Sequence, residues 1–136
     1  MEGVVRSVRL NLELRSGEEK IVCLYLKPNV NSLMLKNKDL VRCRLVGNYS
    51  SIPEGIFSPY GHLVIEYLTG EGTWEAVYVK DVWNEDKGDV SVDLTTKFSG
   101  FGVNLLKVRN ERPVVPFQSG VTIRLSIQMW ASYLVR

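Results

Sequence analysis

The sequence predicts an all-β fold, a single antiparallel β-sandwich that we expect to be of jelly-roll type. Several segments alternate apolar and polar residues with a period of two, which is typical of strands with one face in water. Turn residues recur about every ten residues, and no segment shows a convincing amphipathic helix. We expect about 8–10 strands, little or no helix, and one domain over residues 1–136.

The first strand is predicted from alternation near the N-terminus. Its apolar positions are Val8, Leu10, Leu12 and Leu14, with polar residues between them. The turn sequence "RSGEE" leads into "KIVCLYLK", whose continuous apolar run indicates a strand covered on both faces. Together these two strands are predicted to form a hairpin.

The next segments predict a short strand, a longer strand and a loop. "LMLK" follows the turn residues "PNVNS", and "DLVRCRLVG" alternates with Val41, Cys43 and Leu45 facing inward. Residues 48–61 contain two prolines and two glycines and show neither period, so we expect a long loop there. Long loops in compact domains are often functional.

The second half of the chain continues the strand pattern. "HLVIEYL" and "TWEAVYV" flank "TGEG", which predicts a hairpin. "NEDKGD" is a polar turn before the strand "VSVDL", "VNLLKV" is a further strand, and "RNERPVVPFQSG" is a second long irregular segment. The last strand has the longest alternation, with its apolar positions at Val121, Ile123, Leu125, Ile127 and Met129.

Charge and hydropathy narrow the range of functions. Seventeen Lys and Arg against fifteen Asp and Glu give a net charge of +2, which is too even to indicate nucleic acid. We expect no nucleic-acid partner. The N-terminal segment has neither a signal-peptide core nor a membrane span, so we expect a cytoplasmic or virion location.

Candidate catalytic and metal-binding residues are scarce. Cys23 and Cys43 have no Cys or His at zinc-ligand spacing, and we interpret them as buried reduced thiols or as a disulfide between neighbouring strands. His62 is the single histidine, and serines precede it in the chain without any geometry that makes one a nucleophile. We therefore expect no metal, no cofactor and no enzyme; a cupin-like enzyme is the weakest hypothesis.

The stretch "KFSGFG", residues 97–102, resembles a nucleotide-binding glycine loop only superficially. Leu105 stands where the third glycine of a dinucleotide motif would be, and no helix pattern follows. We interpret the stretch as a corner between two strands. Its rings, Phe98 and Phe101, either close the end of the sandwich or face outward as docking residues.

The function that these features favour is a non-catalytic structural or assembly protein, such as a virion capsid, decoration or appendage subunit. Its partners would be other protein subunits, through self-association or in a larger assembly. Apolar side chains in loops would anchor the contacts. The predicted interface residues are Phe98, Phe101, Phe117, Ile56 and Phe57.

The alternative is a carbohydrate-binding β-sandwich module, with a glycan as partner. Trp74 and Tyr78 share a predicted strand face with Ala76, so their two rings could form a platform for a sugar. Trp130 is the third candidate ligand-binding residue. Aromatic rings inside a sandwich belong more often to the core.

Overall fold

The structure, a computed structural model, describes residues 2–26, 40–98 and 102–134 of the chain. These ranges form eight β-strands and no helix, so the described part contains no helix that could span a membrane. The strands are β1 (Glu2–Leu14), β2 (Glu19–Leu26), β3 (Leu40–Pro53), β4 (Tyr60–Leu68), β5 (Trp74–Trp83), β6 (Lys87–Asp93), β7 (Gly102–Glu111) and β8 (Val121–Leu134). The predicted strand "LMLK" lies outside the described residues.

The strands form two antiparallel sheets of four that pack face to face. Sheet A has the order β1-β8-β3-β6 and sheet B the order β2-β7-β4-β5. The predicted all-β sandwich is therefore confirmed. The first strand pairs with the eighth, the second with the seventh, the third with the sixth and the fourth with the fifth. The pairings are thus nested, and the jelly-roll type stays a prediction.

The core lies between the inner faces of the two sheets, as the alternation predicts for most positions. Val41, predicted to face inward, is instead 39% exposed beside a register shift in β3. On β8, every second residue from Val121 to Tyr133 is at most 2% exposed. Leu14 on β1, Leu45 on β3 and Leu106 on β7 are fully buried in the same cluster. Burial of these apolar side chains is the main stabilising contribution to the fold.

The prediction that β1 and β2 form a hairpin is wrong, because the chain crosses from sheet A to sheet B between them. The hairpin predicted around "TGEG" is confirmed: β4 pairs with β5, and the amide of Thr69 donates to the carbonyl of Thr73 at 2.8 Å. A short turn joins β1 to β2, as it would in a hairpin, so the sequence of these strands does not show that they belong to different sheets.

The prediction that β2 is covered on both faces is also wrong. Leu24 is buried, but Ile21 and Tyr25 are 57% and 51% exposed and Cys23 is exposed. β2 is an edge strand of sheet B, and its apolar residues alternate between the core and the outer surface. A continuous apolar run here marks an apolar outer face.

The two cysteines lie in different sheets and both are free thiols. Cys43 is buried in the core, and this burial, with a smaller contribution from Asp93, raises its pKa to about 12. The disulfide alternative is therefore wrong, and of the two predicted buried thiols only Cys43 is buried.

Candidate interface at one end of the sandwich

Both long irregular segments predicted from the sequence are shorter than expected, because residues 48–53 belong to β3, residues 60–61 to β4 and residues 109–111 to β7. The parts that remain irregular lie side by side at one end of the sandwich. Residues 54–59 connect β3 to β4, and residues 112–120 connect β7 to β8. Backbone hydrogen bonds link them: the Glu54 amide donates to the Gly120 carbonyl at 3.0 Å, and the Ser119 amide donates to the Phe57 carbonyl at 2.7 Å. The Tyr60 amide donates to the Ser119 carbonyl at 2.9 Å. The pair of loops is thus a continuous hydrogen-bonded unit.

Side chains tie this unit to the rest of the fold. The Glu54 carboxylate accepts hydrogen bonds from the Ser16 amide at 2.9 Å and from the Thr122 hydroxyl at 2.8 Å. Gly55 lies close to the other loop: a Cβ there would lie 2.5 Å from the Ser119 hydroxyl oxygen, so a larger residue would displace the Ser119 side chain. Polar groups of the loops are thus hydrogen-bonded within the protein.

The apolar side chains of the same loops point into solvent. We call five of them the loop-end patch: Ile56, Phe57, Val114, Val115 and Phe117, which are 86%, 66%, 95%, 55% and 86% exposed. A turn in which the Gln118 amide donates to the Val115 carbonyl at 3.1 Å shapes the segment that carries the last three. Contiguous exposed apolar surface rimmed by polar groups is typical of interaction sites.

Three of the five predicted interface residues, Ile56, Phe57 and Phe117, lie in the loop-end patch. Phe98 lies at the opposite end of the sandwich, where it is 7% exposed and packs in the core. It therefore closes that end of the sandwich and is not a candidate interface residue. Phe101 lies outside the described residues, and its role stays a prediction.

Val114 and Val115 were not predicted as interface residues. They stand between Pro113 and Pro116. Proline lacks the amide hydrogen that a strand within a sheet donates, so the two flanking prolines keep this short apolar pair from continuing β7. That spacing is the signal in the sequence that could have identified them.

The predicted sugar-binding rings do not form a common surface. The register of β4 and β5 shifts between Ile65 and Glu66, which puts Trp74 on the outer face of sheet B and Tyr78 against the core. The Lys107 ammonium stands 4.4 Å from the centre of the Trp74 ring. Trp130 is 43% exposed on the other sheet. The prediction that Trp74 and Tyr78 share a face is therefore wrong, because a bulge interrupts the alternation.

His62 belongs to a polar cluster on the outer face of sheet B. Its Nδ1 lies 2.9 Å from Oδ1 of Asp81, the residue opposite it on β5, and the Tyr60 hydroxyl donates to the same oxygen at 2.6 Å. Ser51, one of the serines that precede it, donates its hydroxyl to the Trp83 carbonyl at 2.6 Å. No nucleophile–base pair forms between Ser51 and His62, and in the described ranges no three His, Cys, Asp or Glu residues are grouped to hold a metal ion.

No family model and no curated protein matches the chain. Among solved structures it is similar to a Bacillus endospore appendage described as a disulfide-linked pilus, with a TM-score of 0.44 and 9% identity over 99% of this chain and 92% of that one. It is similar to dimeric latent PorU from Porphyromonas gingivalis, with a TM-score of 0.53 and 9% identity over 97% of this chain. It is also similar to infectious bursal disease virus, Gx strain, with a TM-score of 0.39 and 8% identity over 96% of this chain and 32% of that one.

This chain spans 13% of the length of the PorU chain that it matches. At 9% identity that likeness concerns the fold alone. The other two, with lower TM-scores, support no conclusion about this chain.

Proposed function

We propose that this chain is a non-catalytic structural subunit that self-associates through the loop-end patch. The observation that carries the proposal is the exposure of Ile56, Phe57 and Phe117, with Val114 and Val115, on two loops that hydrogen bonds hold together. Within this proposal the chain serves as a capsid, decoration or appendage subunit, the settings that the sequence favours for a small sandwich with apolar loops.

The size of the patch fits a reversible assembly contact. Burying one such side chain fully contributes about 1.5–3 kcal/mol, and association costs about 4–15 kcal/mol in lost freedom. Burial of the five side chains together therefore stabilises the contact by about as much as association costs, which leaves a small net free energy of binding. The contact is therefore expected to depend on protein concentration and to strengthen when many copies assemble.

The hydrogen bonds between the loops reduce the cost of association further. A loop that is already ordered loses little conformational freedom on binding. Here Ser119 is bonded to both Phe57 and Tyr60 through its backbone, and Glu54 is bonded to Ser16 and Thr122. The rings at the tips are thus presented on a preorganised base.

The test is size-exclusion chromatography with light scattering across a range of concentrations. Wild type is expected to show a mass that grows with concentration, and Phe117→Asp to raise the dissociation constant about tenfold or more, because a carboxylate cannot be buried in the contact without a partner. Since Phe117 is 86% exposed, the variant should keep its fold, which circular dichroism checks.

The matched control is Val103→Asp, since Val103 is 58% exposed but lies at the start of β7, at the opposite end of the sandwich. It should assemble as wild type does. A wild-type protein that stays strictly monomeric at high concentration would contradict the proposal, as would equal losses in both variants.

A further inference from the structure

A second exposed aromatic site lies on the outer face of sheet B at the end of β5, at the same end of the sandwich as the loop-end patch. The Trp83 ring is 52% exposed on the outer face of sheet B. Tyr60, directly opposite on β4, packs against it, with ring centroids 4.7 Å apart and planes tilted by 51°. The Tyr60 ring thus supports one side of the indole, and Trp83 as a whole stays 52% exposed to a ligand.

The backbone of Trp83 is fixed from the opposite sheet. Its carbonyl accepts a hydrogen bond from the hydroxyl of Ser51, which is 6% exposed on β3, at 2.6 Å. The amide of Asp86, in the turn after β5, donates to the same carbonyl at 3.3 Å. The ring therefore stands on an anchored strand end rather than on a free loop.

A carboxylate lies beside the ring on the same face. Val82 is fully buried, so Asp81 and Trp83, the residues on either side of it, both point outward. Residues two apart on a strand are about 7 Å apart, roughly the width of a pyranose ring with one hydroxyl. The indole and the carboxylate could thus contact one sugar unit together.

The hydrogen bonds of Asp81 leave one oxygen available. Within the described residues, Tyr60 at 2.6 Å and His62 at 2.9 Å both bond to Oδ1, and the Asp81 side chain is 58% exposed. The hydrogen bonds from Tyr60 and His62 lower the pKa of Asp81, so it stays an ionised acceptor at neutral pH. A ligand at Oδ2 must therefore donate a hydrogen bond.

We propose that Trp83 and Asp81 form a shallow glycan-binding site. A pyranose stacks its C–H face on the exposed indole and donates a hydroxyl hydrogen bond to Oδ2 of Asp81, while Tyr60 and His62 hold the carboxylate in place. The site shares none of the five side chains of the loop-end patch, although the Tyr60 amide donates to Ser119 of the adjoining loop. Its test measures glycan binding, so it does not depend on the proposed assembly.

An organic cation is the competing ligand, because aromatic rings beside a carboxylate also attract positive charge. A cage for a quaternary ammonium group needs rings that face a common space. Here Tyr60 is packed on Trp83 with the centroids 4.7 Å apart, which leaves no room for a cation between them. The geometry favours a flat ligand that lies on one open ring.

The experiment probes a glycan microarray with the labelled full chain and then measures the strongest array glycan by calorimetry. Wild type is expected to bind, Trp83→Ala to weaken binding about tenfold, the loss of one stacking contact, and Trp83→Phe to retain part of it. Asp81→Asn should weaken binding by a smaller factor. The matched control is Tyr25→Ala, a 51% exposed aromatic residue on β2 at the far edge of the same sheet, which should bind as wild type does.

Several results would overturn the proposal. They are the absence of binding to any array glycan, equal binding by wild type and Trp83→Ala, and equal losses in Trp83→Ala and Tyr25→Ala. Binding of tetramethylammonium that depends on Trp83, in place of a glycan, would assign the site to a cation. Weaker self-association in folded Trp83→Ala would assign Trp83 to the assembly surface instead.

Discussion

The hydroxyl of Tyr60 shows how a single residue acquires its properties from its neighbours. A hydrogen bond to Asp81, partial burial, and the charges of Asp81 and Glu111 all favour the protonated hydroxyl and raise its pKa to about 12. An ordinary tyrosine titrates near 10. The stabilisation from this group is therefore fully present below pH 10 and is lost as the pH rises through about 12.

Replacing Asp81 by Asn should lower the pKa of Tyr60 toward its ordinary value, because the hydrogen bond to a charged acceptor is the largest cause of the shift. The measurement is a titration of the tyrosine ring carbons by NMR, with Tyr60→Phe to assign the signal. Glu75→Gln is the matched control, since Glu75 accepts from Tyr67 instead. If the pKa of Tyr60 stays at about 12 in Asp81→Asn, the hydrogen bond to Asp81 is not the main cause of its shift.

Phenylalanines show what residue type alone cannot predict. Phe98, Phe57 and Phe117 all stand in predicted loops, yet Phe98 is 7% exposed while Phe57 and Phe117 are 66% and 86% exposed. Phe98 follows a turn in which its amide donates to the Leu94 carbonyl at 3.0 Å, which directs the chain back over the core. The difference depends on tertiary contacts that local sequence does not carry.

Among the strands, alternation predicted β8 and β1 well because each has one face on the core and one in water. It failed at two places for physical reasons. On β2 the outer face is itself apolar, so the sequence shows a continuous apolar run although burial alternates. Ile21 and Tyr25 face outward, and Leu24 faces the core. On β5 the register shift near Val77 moves Trp74 and Tyr78 to different faces.

Contacts between elements at the loop end depend on Asn110. From β7 in sheet B, its side-chain amide donates to the carbonyl of Leu14 at 3.1 Å and to that of Val121 at 2.8 Å, both in sheet A. Asn110 is fully buried. Gly61 makes room for it, because a Cβ there would lie 2.6 Å from the Asn110 oxygen. One side chain thus joins three strands of two sheets.

Asn110→Leu should reduce the free energy of unfolding by about 2–4 kcal/mol, since it leaves the Leu14 and Val121 carbonyls buried without these donors. Urea unfolding followed by fluorescence measures the change. Asn11→Leu, on the exposed outer face of β1, is the control and should change stability by about 0.5 kcal/mol or less. If the two variants lose equal stability, Asn110 does not hold the sheets together.

For the whole molecule, the sequence predicted the architecture but not which loops meet. The nested pairing brings the β3–β4 and β7–β8 connections to the same end, and the β6–β7 connection to the other. Strand order depends on long-range pairing, which the period of a segment does not encode. The four predicted interface residues that the structure describes were therefore correctly placed in loops but could not be sorted by location; they are Phe98, Phe117, Ile56 and Phe57.

The most direct test of the assembly proposal is hydrogen exchange measured by mass spectrometry on dilute and concentrated protein. We predict that peptides covering residues 54–59 and 112–118 exchange more slowly in the concentrated sample, because assembly covers the loop-end patch. The peptide covering residues 69–73, the turn at the opposite end, should exchange equally in both. Protection at residues 69–73 without protection of the two loops would contradict the account.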